Sequence, residues 1–355
     1  MRCLRGVGAL AVALLVAGSA WAGDGGAVAF NSRDKFYDIV EWDGGLFVAG
    51  YPGFLLKTAD RAQTLEPQKT DTDRALFSMS AFDEKIALAS GPGGLMLRTE
   101  DGGKSWSKTE TGVQIPLFSV FALKGTAKAW AVGLFNTILH SADQGKSWAR
   151  QEHQLPEDTD DEPTLNAVWF IDENNGVAVG EFGVIIATKD GGKTWTDRRS
   201  PAPDALYDMA FTDALRGVAV GSKGTIAFTA DGGATWRAVR LDTDRHFFGL
   251  HVLGDMLYVV GQDGYFISLS LKDKLFSFPF PAPAQAAPGL EGGEEGEAAP
   301  PEPPLLALKP WRTGVYTWLA AVRFLSPEEG LAAGGRGRIL KTTDGGKTWT
   351  KLTGR

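Results

Sequence analysis

One octapeptide returns five times along this chain and restricts its fold more than any bulk property. It reads TEDGGKSW at Thr99–Trp106, SADQGKSW at Ser141–Trp148, TKDGGKTW at Thr188–Trp195, TADGGATW at Thr229–Trp236 and TTDGGKTW at Thr342–Trp349. The shared frame is Ser/Thr-x-Asp-x-Gly-x-x-Trp. It fixes aspartates at Asp101, Asp143, Asp190, Asp231 and Asp344, and tryptophans at Trp106, Trp148, Trp195, Trp236 and Trp349. The first four aspartates lie 42, 47 and 41 residues apart. A period of about 40 residues, carried by short apolar strands, is that of a β-propeller, in which each unit packs on its neighbours.

Each position of the frame has a physical task. The aspartate accepts hydrogen bonds from backbone N–H groups of its own turn. The glycine takes positive φ without a Cβ penalty. The tryptophan opens the next strand and buries a large ring. Calcium binding or acid catalysis would also use aspartates, but repetition of a unit reports architecture, so these ten residues are expected to be structural.

Two further landmarks extend the count to seven units. Inner strands are expected to start at Phe36, Leu76, Leu117, Leu165, Leu206, Phe247 and Leu319. A tight G-x-x-G turn follows at Gly50, Gly91, Gly133, Gly180, Gly221, Gly261 and Gly334, with Asn136 in place of the last glycine once. Asn tolerates the left-handed region that such a turn needs. The expectation is an all-β fold, a seven-bladed β-propeller of four-stranded blades from about Phe36 to Leu352. Octapeptide turns then share one face with the turns between first and second strands. The G-x-x-G turns share the other with the connections between blades. Blade one keeps Thr58 and Asp60 but has Ala62 and Leu65 for Gly and Trp, and blade six, around Ser268–Leu275, keeps almost nothing. Both turns are expected to be looser.

The ends bound location. Arg2 and Arg5, an apolar run from Val7 to Ala17 and Ala20-Trp21-Ala22 form a secretory leader over residues 1–22, cut before Gly23, with residues 23–355 as one propeller. The run is short for a bilayer span, and no other stretch reaches that length, so the mature chain is expected to be periplasmic or secreted, without a transmembrane segment, and monomeric. Cys3 is the one cysteine, which leaves the mature chain no disulfide and no thiolate metal site. The four histidines lack metal-ligand spacing, and neither metal nor cofactor is expected. Formal charge is −7, or −9 without Arg2 and Arg5. With no basic run, this argues against nucleic acid.

Two connections are long. Gln151–Thr164 carries Glu157, Asp158, Asp160, Asp161 and Glu162 and reads as a solvated acidic loop. Residues 277–313 hold nine of the 18 prolines and are expected to be a flexible insertion between blades six and seven. Its glutamates, Glu291, Glu294, Glu295, Glu297 and Glu302, suggest a tether over any basic sector nearby. On the G-x-x-G face the second residues of the inner strands include Tyr37, Phe77, Phe118, Tyr207 and Phe248, beside Asn166 and Ala320. They form either a binding funnel at the axial channel or blade-to-blade packing. Arg74, Arg245, Arg312 and Arg336, with Arg33, Lys35 and Arg338, fall on consecutive blades six, seven, one and two. They form either a basic sector for an acidic or C-terminal segment of a partner, or chance scatter.

The octapeptides resemble Asp-box, or BNR, repeats. The fuller unit Leu165–Trp195 is similar to the photosystem II stability/assembly factor family of cyanobacteria and chloroplasts, which has relatives in bacteria without photosynthesis. The resemblance implies a non-enzymatic platform that binds a membrane protein or membrane-complex subunit during assembly, through an arginine-rich patch. Sialidases also carry Asp-boxes, so a sialidase-like glycoside hydrolase is the alternative. It would require an arginine triad and a tyrosine nucleophile paired with an acid. No Arg-Ile-Pro motif occurs, and Tyr37 and Glu41 stand too far apart on one strand for direct contact.

Overall fold

Seven antiparallel sheets follow one another around a central axis in the computed structural model, which describes residues 30–155, 162–198, 202–272, 305–306 and 311–352. The chain is a seven-bladed β-propeller. Blade one runs through Lys35–Trp42, Gly45–Tyr51, Leu55–Thr58 and Glu66–Pro67. Blade four, through Leu165–Phe170, Gly176–Gly180, Ile185–Thr188 and Thr196–Asp197, shows the pattern at its most regular. Second strands such as GVAVG at Gly176–Gly180 are buried throughout, because neighbouring blades cover both faces. Blade seven packs its Ala321, Leu331, Ala333 and Ile339 directly on Phe36, Ile39, Val48 and Leu56 of blade one. The ring therefore closes by side-chain packing: blade seven is built from its own four strands, ending at Thr350–Lys351. Residues 27–29 lie outside the described residues, and the ring of Phe30 sits edge-on to Phe36 and Phe54 at 5.0 and 5.5 Å. The leader also lies outside them. No helix among the described residues is long and apolar enough to cross a membrane.

Each Asp-box is locked by four short hydrogen bonds and a longer fifth, from the aspartate's own N–H to the Ser/Thr hydroxyl at 3.3 to 3.4 Å. In the second blade Thr99 Oγ1 donates to Asp101 Oδ1 at 2.8 Å and accepts from the Gly103 N–H at 3.0 Å. The Ser105 N–H and hydroxyl donate to the two oxygens of Asp101 at 2.9 and 2.6 Å. Asp143, Asp190, Asp231 and Asp344 repeat the set with Ser147, Thr194, Thr235 and Thr348. The hydroxyl residue before each tryptophan is thus part of the lock. Positive φ is half of the reason for the glycine. A Cβ on Gly233 would also stand 2.6 Å from Val177 of the preceding blade, and one on Gly346 would stand 2.2 Å from Phe266.

Blade one corrects an expectation. Its turn keeps the lock: Thr58 Oγ1 to Asp60 at 2.8 Å, and the Thr64 N–H and hydroxyl to Asp60 at 2.9 and 2.6 Å. Ala62 adopts φ 61° and Arg61 φ 56° without glycine. The polar trio suffices to hold the turn, and Leu65 takes the place of the tryptophan against the core.

Blade six corrects another. Its outermost strand is Trp311–Arg312, paired antiparallel with Tyr265 and Phe266. The long segment therefore enters between the third and fourth strands of blade six, where an Asp-box would stand, and not between blades six and seven. On its way back it adds Leu305–Leu306 as a fifth, parallel strand beside Arg240 and Leu241 of blade five. Residues 273–304, with the glutamates of the expected tether, and 156–161 of the acidic loop lie outside the described residues.

Asp190→Ala removes the acceptor for the Thr194 N–H and both hydroxyls. It is expected to cost about 1 kcal/mol in urea unfolding while leaving partner binding intact; lost binding at unchanged stability would refute a structural role. Gly180→Ala would place a Cβ 2.1 Å from the Thr164 carbonyl oxygen. It is expected to cost about 1–3 kcal/mol, read by the same unfolding measurement.

Candidate binding face and axial channel

Hydrogen bonds between turns define two faces. Asp-box glycines donate to the turn between first and second strands of their own blade: Gly102 to Lys85, Gly191 to Asn174, Gly232 to Leu215 and Gly345 to Glu328, at 2.9 to 3.0 Å. The G-x-x-G turns donate instead to the chain entering an inner strand, as in Asn136 to Pro163, Glu181 to Thr164, Gly224 to Arg245 and Gly337 to Asp34. The two turn classes thus occupy opposite faces, as the strand assignment requires.

The mouth of the channel lies on the G-x-x-G face, and a bulge builds it. In blades one, three, four, five, six and seven the inner strand slips register at its second residue, which is Tyr37, Phe118, Asn166, Tyr207, Phe248 and Ala320. A bulge turns the extra side chain out of the pleat. These residues and Phe77 all line an axial cavity of about 1160 Å3. Trp318 stacks on Tyr37 at 5.7 Å, Tyr37 meets Phe77 edge-on at 5.2 Å, and Phe77 stacks on Phe118 at 5.6 Å. Tyr207 and Phe248 form a second group at 5.4 Å. The aromatics therefore pack between blades and line the mouth at once, half-buried.

The four arginines do not act alike. Arg74 and Arg336 are exposed, with no carboxylate in ion-pair reach among the described residues. Arg245 is held by Asp263 at 3.4 Å and Asp244 at 3.6 Å. Arg312 lies on the outer strand of blade six, over the rings of Tyr265 and Tyr316 at 5.5 and 5.9 Å. Arg336 sits at φ 56° in its turn. The segment expected as an acidic tether leaves the ring after Tyr265–Ser270, at the opposite face from Arg336.

The family model described as photosynthesis system II assembly factor YCF48 matches residues 199–273, which span blade five and the first three strands of blade six. A structure of YCF48 bound to D1 peptide superposes with a TM-score of 0.61 at 20% identity, covering 90% of this chain and 96% of that one. YCF48 from Cyanidioschyzon merolae gives 0.60 at 17%, covering 89% and 98%. The chain is similar to that family over residues 199–273, and the superpositions show a shared fold. A GH74 xyloglucanase from Xanthomonas campestris gives 0.66 at 10%, covering 92% of this chain and 55% of its own, which carries the propeller fold alone. No curated protein sequence matches.

The G-x-x-G face holds aromatics that the sequence pattern did not mark as exposed. Tyr51, Phe135, Phe182 and Tyr316 are exposed by 41, 51, 65 and 75%. Phe135 and Phe182 occupy the third position of their G-x-x-G turns at φ 55° and 56°, a conformation that bulky side chains rarely take. An aromatic in a tight turn was the available signal, but sequence patterning assigns aromatics to the core.

Inside the channel stand two carboxylates that the sequence pattern also did not mark. Asp38 Oδ2 accepts the Met79 N–H of the next blade at 2.7 Å, and Asp208 Oδ2 accepts that of Leu250 at 2.8 Å. Burial within the ring pushes Asp38 up to about 6, against backbone hydrogen bonds and the nearby Arg323, and pushes Asp208 up to about 7, with the charge of Asp38 adding to the rise. Both are half-buried and line the channel. His251 is lowered to about 3, by burial and by Arg323. A carboxyl raised in the folded state contributes stability below its unfolded value, lost as pH climbs toward and through the folded one. Asp208→Asn, which keeps an acceptor for Leu250, is therefore expected to raise the melting temperature more at pH 8 than at pH 4. An equal effect at both would refute the assignment.

Proposed function

We propose that this YCF48-like propeller is an exported, non-catalytic docking platform that holds an extended acidic segment of a membrane-protein subunit during assembly. The observation that carries the reading is the pairing, on one face, of unpaired Arg74 and Arg336 with an open aromatic mouth. Arginine recognises carboxylates with a rigid fork of donors, and aromatic rings supply contact area at low entropic cost. The YCF48 structure carrying a D1 peptide favours a peptide guest. The leader pattern at residues 1–22 supports a periplasmic location.

The glycosidase alternative is less well supported. Arg323 is the one arginine among the described residues lining the cavity, where a sialidase needs three. Tyr37 lies against Phe77 and Trp318, and burial raises its pKa, the opposite of an activated nucleophile.

The test is affinity capture from detergent-solubilised native membranes with wild type and an Arg74→Glu/Arg336→Glu double variant. Wild type is expected to retain a membrane protein. The variant, folded by its melting curve, is expected to bind that partner's soluble segment about tenfold more weakly, with a reduced salt dependence. Undiminished binding by the variant would overturn the reading.

A further inference from the structure

The residue that follows Tyr37, Phe77, Phe118 and their counterparts in each inner strand faces the next blade along the channel wall. In blades two and three it is Ser78 and Ser119, whose hydroxyls accept the Val120 and Val168 N–H groups at 3.3 and 3.4 Å. Blades four, six and seven place Ala167, Gly249 and Ala321 there. A hydroxyl, or nothing, thus serves this joint. Blades one and five instead place the half-buried Asp38 and Asp208 there, with both Asp208 oxygens accepting backbone N–H groups of Met209 and Leu250, and a carboxylate drawn out of water is costly without a counter-charge. Asp38 lies in the field of Arg323. Asp208 has no cation within ion-pair distance among the described residues, although Arg240, Lys223 and Arg245 of the neighbouring strands and turns all find other carboxylates. Together with the paired rings of Tyr207 and Phe248, Asp208 lines a cavity of about 1160 Å3, which Tyr37, Phe77, Phe118 and Trp318 also line.

We propose that the axial channel binds an alkylammonium group, seated between the Asp208 carboxylate and the aromatic mouth. A carboxylate gives the group its counter-charge and the ring faces attract it further. The cavity exceeds the needs of one lysine side chain and admits a free polyamine, so the chemistry is shared by two sources. The other charged or titratable side chains facing the channel are Tyr37, Asp38, Glu41, Lys124, Tyr207, His251 and Arg323. His251 stays neutral near pH 7, accepting the Phe324 N–H at 3.1 Å. Arg323 and Glu41 face each other at 3.4 Å, at the far ends of their strands. A cation seated at Asp208 favours its ionised form, so binding releases a proton below pH 7 and tightens as pH rises. The site is separate from the arginines of the proposed docking face, and its failure leaves that reading standing.

Isothermal titration of the full protein with spermidine, and with a glycine-rich peptide carrying one lysine or norleucine in its place, tests the proposal. Expected are saturable binding of spermidine, the lysine peptide or both, no binding of the norleucine peptide, and affinity rising about fivefold between pH 6 and 7. Binding of spermidine alone assigns a free amine, and of the lysine peptide alone a partner's side chain. Asp208→Asn, with its fold checked by melting, is expected to weaken binding at least about tenfold and to flatten its pH dependence. No binding by either amine at pH 8, equal binding of the norleucine peptide, or an Asp208→Asn variant that behaves as wild type would overturn it.

Discussion

A backbone carbonyl pressed against a glycine sets the geometry on which the ring depends. In every blade the first glycine of the G-x-x-G turn lies under the carbonyl of the residue that leads into the inner strand. A Cβ there would stand 2.0 to 2.4 Å from that oxygen, from Gly221 against Ala205 to Gly91 against Ala75. At Gly180 the backbone is extended, with φ −163°, so conformational freedom is not what demands glycine. The demand is space. In six of the seven blades the close approach accompanies an inner-strand bulge, and the bulge turns Tyr37, Phe118, Tyr207 and Phe248 into the channel. One steric constraint, repeated around the ring, thus builds both the blade and the mouth.

The opposite face is held by charge. Asp101 and Asp344 sit at about 2, held down by the hydroxyls and then the N–H groups of Ser105 and Thr348. Their contribution is complete above the ordinary carboxylate range and is lost as pH falls through about 2. The channel carboxylates run the other way. The same residue type is an ionised lock at an exposed turn and a proton-retaining clip in the channel wall, because burial decides which form is favoured. Acid weakens the rim while it relieves the interior.

The two faces therefore differ in what they can do. Asp-box carboxylates spend their acceptors on their own turns, which leaves little for a guest. On the other face Arg74, Arg336, Phe135 and Phe182 are exposed around an aromatic mouth, and Phe135 and Phe182 stand at positive φ. The positive φ belongs to the turn itself, since Lys223, Asp263 and Arg336 take it at the same position. The long segment returning through Leu305–Leu306 reinforces the outer edge of blade five and completes blade six.

Periodicity alone determined the fold class, the number of blades and the opposition of the two turn types. The octapeptide and the paired glycines repeat in register, and hairpin connectivity leaves no other arrangement of turns. What the sequence left undecided depends on distance in space. Blade one lost its glycine and tryptophan in the pattern, yet Thr58, Asp60 and Thr64 still close the lock, because hydrogen-bond geometry tolerates Ala62 at φ 61°. The last strand of blade six, Trp311–Arg312, is two residues long and carries no periodic signal across the insertion; pairing with Tyr265 and Phe266 reveals it. Arg245 and Arg336 look equivalent along the chain, and the carboxylate of Asp263 at 3.4 Å separates them. Asp38 and Asp208 read as ordinary polar residues in inner strands. Closing the ring faces both into one channel with few counter-charges, and that arrangement belongs to the tertiary structure alone.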